Sequence, residues 1–173
     1  NNLQIISSLL NLQANYFSDE NSKTMFKESQ NRIKTLAIVH EKLYNSSDVE
    51  YVDMYEYLCL ITNLLSYSLD KECVDVEFDV GLKDLNKFNI EKAIPCGLIV
   101  NEVLTNSFKY AFPNQFSGLV KIKFSETSEG YELIISDNGI GIPNNIDITN
   151  SNSLGIGLVH SLVNQLEGNL KVS

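Results

Sequence analysis

Residues 136–143 read Ser-Asp-Asn-Gly-Ile-Gly-Ile-Pro and overlap the end of an apolar run, YELIIS, at 131–136. The run predicts a buried strand that ends at a carboxylate, Asp137. Asn138-Gly139 by itself would predict a two-residue hairpin turn. No second strand follows it. Instead the chain continues through the polar segment NNIDITNSN to a second glycine pair, Gly155 and Gly157, at the start of a helical pattern. The two glycine pairs therefore border a long polar loop, which a simple hairpin would not contain.

Composition excludes several classes of partner. The chain has 173 residues, 43% of them hydrophobic, which is typical of one or two globular domains. Its net charge of −9 argues against nucleic acid or an anionic membrane surface as a partner, although a phosphorylated small ligand is still allowed. No apolar run reaches the roughly 18 residues of a membrane span. The three cysteines form no CxxC pair, read as small apolar core residues and indicate a reducing cytoplasm.

The first 47 residues predict a helical hairpin. Leu3, Ile6 and Leu10 recur at helical spacing, and a second helix carries a similar stripe that includes Phe26 and Ile33. The segment SDENS between them, at 18–22, supplies turn and N-cap residues. Two helices cannot enclose a core, so we expect a homodimer in which residues 1–47 of two copies form a four-helix bundle. The chain enters the first helix without a cap, as expected for a segment of a longer protein.

Residues 48–173 predict a mixture of strands and helices. We expect a short strand in VEYVDM, a helix in MYEYLCLITNLLSYSL and a half-buried strand in VDVEFDV. A helix around 95–111 follows, then a hairpin of LVKIKFSE and YELIIS that turns at 128–130. The glycine-opened helix comes next, and the chain closes with the start of a strand, NLKVS.

The helix around 95–111 carries the candidate chemistry. Its wheel places Glu102, Asn106 and Lys109 on one stripe. The opposite side, expected to pack on the sheet, carries Val100, Leu104, Ser107 and Ala111. One interpretation of the polar stripe is a solvated helix face. The other is a reactive site: an amide oxygen suits Mg²⁺, an ammonium neutralises phosphate, and a carboxylate orients or deprotonates an attacking group.

The glycine pairs do not match the two commonest phosphate-binding motifs. The segment GIGLVH lacks the third glycine of the dinucleotide-binding fingerprint, and no GxxxxGK[ST] segment is present in the chain. Glycines that open a helix still allow close approach of the backbone to a phosphate at the positive helix end.

The order of these features resembles the ATP-binding fold shared by sensor histidine kinases, DNA gyrase and mismatch-repair ATPases. Asn101-Glu102-x-x-x-Asn106-x-x-Lys109-Tyr110 is similar to their N box, and Asp137-Asn138-Gly139-Ile140-Gly141 to their first glycine box. Leu154-Gly155-Ile156-Gly157-Leu158 is similar to the second. The opening Asn1-Asn2-Leu3-Gln4 resembles the end of His-His-Arg-x-Lys-Asn-Asn-Leu-Gln, the dimerisation-helix motif of one histidine kinase subgroup.

The resemblance implies a two-component sensor histidine kinase of α+β fold class. Residues 1–47 would be its dimerisation hairpin, and 48–173 a two-layer α/β sandwich that binds ATP and lacks its final strand. The phosphoacceptor histidine would lie just before Asn1. The full-length kinase would phosphorylate that histidine and pass the phosphoryl group to the receiver domain of a response regulator.

The resemblance also implies roles for individual residues. Glu102 would be the catalytic base or orienting group, Asn106 would hold Mg²⁺, and Lys109 would meet phosphate. Asp137 would accept a hydrogen bond from the adenine amino group, and Tyr110 would pack near the base. Residues 143–153 would form a lid over the nucleotide. Further nucleotide contacts would come from Gly139, Ile140, Gly141, Leu154, Gly155, Gly157 and Leu158.

Two other classes of function are alternatives. An ATP-driven conformational machine of the gyrase or chaperone type is opposed by the short hairpin and by the absence of a transducer domain from the pattern. A nucleotide-free interaction module is opposed by the intact set Glu102, Asn106, Lys109 and Asp137.

Overall fold

The computed structural model describes residues 19, 22–23, 26, 29–30, 32–33, 37, 50–69, 71, 74–81, 88–113, 117–142 and 154–172. The chain divides into two compact units, 1–49 and 50–173. In the first unit the described residues from Ser22 to Ala37 are all helical. Asp19 Oδ1 accepts a hydrogen bond from the Ser22 backbone N–H at 2.7 Å, so SDENS does supply the predicted N-cap. The predicted first helix lies outside the described residues.

The second unit alternates strands and helices. In chain order it contains β1 (Tyr51–Val52), α1 (Met54–Ser68), β2 (Val74–Gly81), β3 (Phe88–Asn89), α2 (Ile90–Asn106), a π-helical turn (Ser107–Ala111), β4 (Gly118–Thr127), β5 (Gly130–Asp137) and α3 (Leu154–Gln165). The predicted helix after VEYVDM, the strand VDVEFDV, the β4–β5 hairpin and the glycine-opened helix are all confirmed. The α+β class is confirmed with them. The prediction that YELIIS is a buried strand is wrong: no residue of β5 is fully buried, and within the described residues β5 pairs with β4 alone.

The main sheet has the strand order β2-β4-β5. Strand β2 runs parallel to β4, and β4 runs antiparallel to β5. Parallel neighbours need a long crossover, and α2 lies within the crossover from β2 to β4. A smaller antiparallel pair joins β1 to β3, with Val52 opposite Phe88. The helix with the polar stripe, α2, therefore belongs to the connection between two strands that are neighbours in the sheet.

Side chains alternate across β4 as a half-buried strand requires. Val120, Ile122 and Phe124 are buried, whereas Lys121 and Lys123 are exposed, and Lys121 Nζ pairs with Glu77 Oε2 of β2 at 3.0 Å. The buried side of the unit is completed by helix residues, among them Leu58 and Ile61 of α1, Val100 and Leu104 of α2, and Val159 and Leu162 of α3. The result is a sheet layer and a helix layer. None of the helices in the described ranges is long and apolar enough to cross a membrane.

The two described cysteines have different surroundings. Cys96 is buried, as expected of a core residue, and burial raises the pKa of its thiol to about 11. Cys59 is only half-buried and shares a hydrogen bond with the Tyr55 hydroxyl. Next to Cys96, the buried Tyr57 ring covers Gly97, where a Cβ atom would overlap it. Cys73 lies outside the described residues.

Helix α2 begins earlier than the sequence predicted. The prediction placed the helix around 95–111. The helix begins instead at Ile90, where the Asn89 side chain accepts a hydrogen bond from the Glu91 N–H at 2.8 Å. A capping side chain therefore sets the start of the helix, and Pro95 is tolerated inside it.

Two strand predictions need correction. Strand β1 is shorter than VEYVDM, because Asp53 caps α1 by accepting from the Glu56 N–H at 3.1 Å, and this starts the helix at Met54. The predicted strand start at NLKVS is wrong for its described residues, Asn169 to Val172, which form no strand. A β-strand is defined by hydrogen bonds to a neighbouring strand. Within the described ranges, no strand of either sheet pairs with this segment.

Candidate functional site

The polar stripe of α2 is largely buried. Glu102 is 1% exposed, and its Oε1 accepts from Asn101 Nδ2 at 3.3 Å. Asn106, the last residue of α2, and Lys109 are half-buried. Burial of Glu102 excludes the solvated-face interpretation for this residue, because a carboxylate is placed inside a protein only when other groups compensate its lost hydration.

The helix widens into a π-helical turn immediately after Asn106. Single π turns inside helices are often found at functional sites. Here the turn changes the step of about 100° per residue that the helical wheel assumed, so the placement of Lys109 on the stripe stays a prediction. Ser107 and Ala111 remain buried, as predicted, and Tyr110 is 67% exposed.

The carboxylate at the end of β5 is held on both oxygens. Asp137 Oδ2 accepts from the Ser107 hydroxyl at 2.8 Å, and Oδ1 accepts from the Gly139 N–H at 3.0 Å. The next residue, Asn138, is fixed to the start of β4: its Oδ1 accepts from the Leu119 N–H at 2.8 Å, and its own N–H donates to the Leu119 carbonyl at 3.1 Å. The loop after β5 is therefore tied to two other elements.

The same loop lies against the end of the π-helical turn. The Ile140 N–H donates to the Ala111 carbonyl oxygen at 3.0 Å. A Cβ atom at Gly139 would overlap that oxygen and the Ala111 side chain, so this position admits only glycine without movement of the backbone. Gly141 has φ +74°, a conformation that favours glycine, and the space around it is open. The two glycines of this box thus serve different purposes.

The C-terminal end of the turn is fixed by partners from elsewhere in the unit. Carbonyl groups at a helix end have no partner within the helix. Besides Ala111, the Phe112 carbonyl oxygen accepts from Lys71 Nζ at 3.3 Å. The Phe112 ring covers Gly118 at the start of β4, where a Cβ atom would overlap it. The polar helix and the sheet are therefore locked together where Asp137 lies.

Exposed apolar side chains lie on the two segments that meet near this carboxylate. Ile140 is 70% exposed and Ile142 is 48% exposed, and Tyr110 precedes Ala111, the residue bonded to Ile140. Large exposed apolar groups beside a fixed polar group are typical of binding sites for flat, partly apolar ligands. This combination suits a heteroaromatic ring that carries a hydrogen-bond donor.

The second glycine box begins α3. Gly157 is exposed, and a Cβ atom there would meet nothing, so the backbone at this end of the helix is open to a ligand. Gly155 is half-buried. Leu158 packs against the apolar cluster of Ile99, Val159 and Leu162, which also joins α3 to α2. The predicted lid at 143–153 and the side chain of Leu154 lie outside the described residues.

The side chains present fit a bound Mg²⁺ that takes few protein ligands. Within the described residues no group of three or more His, Cys, Asp or Glu side chains gathers. Mg²⁺ bound with a nucleotide does not need one, because it takes one or two protein oxygens together with phosphate oxygens and waters. The half-buried amide of Asn106, which makes no capping hydrogen bond at the start of the turn, supplies an oxygen of the required kind.

Sequence reasoning missed Ser107, Ala111 and Lys71 as residues that shape the site. Ser107 and Ala111 were assigned only to packing, and Lys71 lies in a short connection without any motif. Their contributions are hydrogen bonds across 29 or more residues of chain, for which a single sequence gives no signal.

Comparison with known proteins gives the family. A family model described as "Histidine kinase" matches residues 1–69, and one described as "Histidine kinase-like ATPase domain" matches residues 81–170. The second match alone spans more than half of the chain. The chain belongs to the histidine kinases. The expectation of a two-component sensor histidine kinase is thereby confirmed, and the histidine kinase type of ATPase fold with it.

Individual relatives agree with this assignment. The sensor histidine kinase PdtaS of Mycobacterium tuberculosis is 30% identical over 173 residues, which cover 98% of this chain and 34% of that protein. Blue-light-activated histidine kinase 2 of Erythrobacter litoralis is 27% identical over 178 residues, covering 100% of this chain and 50% of that protein. The solved structure of Erythrobacter litoralis EL346 blue-light activated histidine kinase superposes with a TM-score of 0.73 at 27% identity, over 88% of this chain and 52% of that one. The chain thus spans between a third and a half of the length of these curated relatives.

We predict that Gly139→Ala separates the loop after β5 from the π-helical turn. The new methyl group would overlap the Ala111 carbonyl oxygen and side chain, so the Ile140 N–H must leave its acceptor. Loss of a hydrogen bond worth about 1 kcal/mol should speed exchange of the Ile140 amide hydrogen by at least about fivefold, measured by NMR or mass spectrometry. Gly157→Ala is the control, because its methyl group meets open space. Unchanged protection of Ile140 in Gly139→Ala would contradict the close approach.

Proposed function

We propose that this histidine kinase chain binds Mg-ATP in residues 48–173 and dimerises through residues 1–47. The observation that supports the nucleotide site most directly is the Asp137 carboxylate. It is held by one donor on each oxygen and tied through its loop to the end of the helix that carries Glu102, Asn106 and Lys109. The loop after β5 thus supplies the group that would recognise the base, and the helix in contact with it supplies the groups that would bind the phosphates.

Asp137 selects adenine by hydrogen-bond polarity. An ionised carboxylate only accepts hydrogen bonds, and the adenine amino group donates them. A guanine or hypoxanthine ring carries a carbonyl oxygen at the corresponding position, which would face the carboxylate without a proton between them. The exposed side chains of Tyr110 and Ile140 provide apolar surface for the ring, and Gly141 keeps the loop free of a side chain beside it.

The phosphate groups are bound from two helices. Asn106 holds Mg²⁺ through its amide oxygen, and Lys109 neutralises phosphate charge. When bound, the magnesium ion neutralises the charge that develops on the transferring phosphoryl group. The backbone at Gly155 and Gly157 faces the phosphates at the N-terminal end of α3, where peptide dipoles favour an anion. Leu154 and Leu158 flank these glycines, with Leu158 anchoring the helix in the apolar cluster.

Glu102 orients or deprotonates the attacking group. Its burial and its hydrogen bond from Asn101 fix the carboxylate, which a positioned acceptor requires. The attacking group would be the histidine of the dimerisation-helix motif that Asn1-Asn2-Leu3-Gln4 resembles. Its imidazole nitrogen would form a bond to the γ-phosphorus as the bond to the ADP oxygen breaks, and the ring proton would pass to the Glu102 carboxylate or to water. The phosphoryl group then passes to an aspartate of a receiver domain. The free thiols Cys59 and Cys96 are compatible with the reducing cytoplasm in which this relay would operate.

ATP binding should depend on Asp137. Asp137 is exposed in the free chain, and a bound base would cover it. Asp137→Asn then presents a donor where an acceptor is needed, and a mismatched polar group covered by a ligand costs about 1–3 kcal/mol. We therefore expect ATP affinity, measured by titration calorimetry, to fall by about 5- to 150-fold. Asp79→Asn makes the same change of charge on the exposed side of β2 and should leave affinity unaltered. Equal affinity of the wild-type chain and Asp137→Asn for ATP would remove the adenine assignment.

Phosphorylation should depend on Glu102 separately from binding. In the full-length parent, Glu102→Gln keeps the size of the side chain but weakens it as a proton or hydrogen-bond acceptor. The autophosphorylation rate should fall by about 10²–10⁴, the range for a general base, with ATP affinity changed less than about threefold. The matched control is Glu129→Gln in the exposed β4–β5 turn. A Glu102→Gln kinase that phosphorylates itself at the wild-type rate would exclude this role.

The chain should be dimeric in solution. We expect residues 1–47 of two copies to bury apolar helix faces against each other, including the half-buried Ile33. Sedimentation at tens of micromolar, a concentration that populates complexes of micromolar Kd, should detect the dimer. Ile33→Asp should dissociate it, and Ser128→Asp in the β4–β5 turn should not. A folded monomer at this concentration in the wild-type chain would argue against the bundle.

A further inference from the structure

The π-helical turn brings a hydroxyl group to the candidate base-reading carboxylate. Ser107 opens this turn, is 8% exposed, and donates its hydroxyl hydrogen to Asp137 Oδ2 at 2.8 Å. The two residues are 30 positions apart and belong to different layers of the fold. A serine inside a helix commonly bonds back to a carbonyl of the preceding turn. Ser107 bonds instead across to β5, toward the end of the sheet where the loop begins.

The hydrogen bond from Ser107 limits rotation of the Asp137 carboxylate group, which the backbone conformation of Asp137 alone does not fix. The last torsion of an aspartate side chain is broad and roughly two-fold, so a carboxylate with one partner can rotate. Asp137 has a donor on each oxygen, the Ser107 hydroxyl on Oδ2 and the Gly139 N–H on Oδ1. With two donors in fixed positions the carboxylate plane is set, and each oxygen keeps a lone pair for a ligand in a defined direction.

The Ser107 hydroxyl group also affects which hydrogen-bonding groups a ligand can place at this site. A serine hydroxyl has one hydrogen and two acceptor lone pairs. Its hydrogen is already given to Asp137 Oδ2, so toward a ligand the Ser107 oxygen can only accept. Ser107 and Asp137 therefore present only hydrogen-bond acceptors to a ligand. This favours a ligand with an amino group at this position and disfavours one with a carbonyl oxygen.

We propose that Ser107 is a positioning residue that orients the Asp137 carboxylate and thereby sets the preference of this site for a base bearing an amino group. This inference rests on the proposed nucleotide site and deepens it. Ser107 acts through Asp137, and its effect is confined to ligands that carry the group Asp137 reads. A purely structural tether between the turn and β5 would instead affect all nucleotides equally.

The test is a comparison of two ligands with and without the hydroxyl. ATP and the triphosphate of purine riboside differ in the amino group of the base, which the second lacks. In Ser107→Ala, affinity for ATP should fall by about tenfold, as expected for loss of a hydrogen bond to a charged group. Affinity for the purine riboside triphosphate should change by less than about twofold. Equal weakening of both ligands, or no weakening of either, would overturn the positioning role.

Two further variants separate orientation from damage to the fold. Ser68→Ala removes a part-buried serine hydroxyl that bonds to the Leu65 carbonyl at the end of α1, and should leave both affinities unchanged. Ser107→Thr keeps the donor and should retain the preference for ATP, even if the added methyl group lowers the melting temperature. Loss of the preference in Ser107→Thr at unchanged fold would count against the hydroxyl as its cause.

A ligand-free measurement tests the same idea without nucleotide. If the hydroxyl fixes the carboxylate, Ser107→Ala lets Asp137 rotate away from the Gly139 N–H. Exchange of the Gly139 amide hydrogen should then rise severalfold in the free protein, while exchange of the Leu119 amide, bonded to Asn138, stays within about twofold. Unchanged Gly139 exchange would show that the loop alone orients Asp137.

The affinities for the two triphosphates distinguish failure of this inference from failure of the proposed function. Should the wild-type chain bind neither triphosphate, or bind both with equal affinity, the adenine site itself is wrong. Should it prefer ATP while Ser107→Ala keeps the same preference, only the role of Ser107 is wrong.

Discussion

The hydrogen bond from the Ile140 N–H to the Ala111 carbonyl oxygen is the contact on which the rest of the site depends. It satisfies a carbonyl group that a helix end leaves without a partner, and it does so with backbone from the loop after β5. The short distance requires glycine at 139. Once the two segments touch, Asp137 lies within reach of Ser107, and the recognition loop is held against the helix that carries Glu102 and Asn106.

Much of this could be predicted from sequence because periodicity and motif order are local signals. Alternation identified β2, two strand-like runs joined by a turn at 128–130 identified the β4–β5 hairpin, and the three boxes identified the family. Two kinds of feature were not predictable. The start of α2 is set by the Asn89 side chain, which accepts a hydrogen bond from the Glu91 N–H, and the sequence pattern around 95–111 did not reveal this cap. The partner of Ser107 depended on a contact 30 residues away, and the wheel could place that side chain only toward the sheet.

The burial of Glu102 illustrates the limit of a helical wheel. A wheel tells which residues share a face, but not whether something covers that face. Glu102 shares its stripe with Asn106 and is nevertheless buried, with Asn101 donating to it, while Tyr110 two turns later is exposed. Exposure thus rises along the chain from Glu102, through the half-buried Asn106 and Lys109, to Tyr110. A shielded carboxylate and groups that a ligand in solvent can reach therefore lie close together, at the C-terminal end of α2 and in the π-helical turn after it.

The contacts around Asp137 close loops of 19, 30 and 41 residues, from Leu119 to Asn138, Ser107 to Asp137 and Lys71 to Phe112. Each closure costs chain entropy before any contact repays it. The site therefore depends on the folded sheet and helices that bring these distant segments together. Binding and folding are linked in consequence: a ligand held here raises the melting temperature of the whole unit by mass action. A substitution deep in β4 can thus imitate a binding defect without touching the ligand.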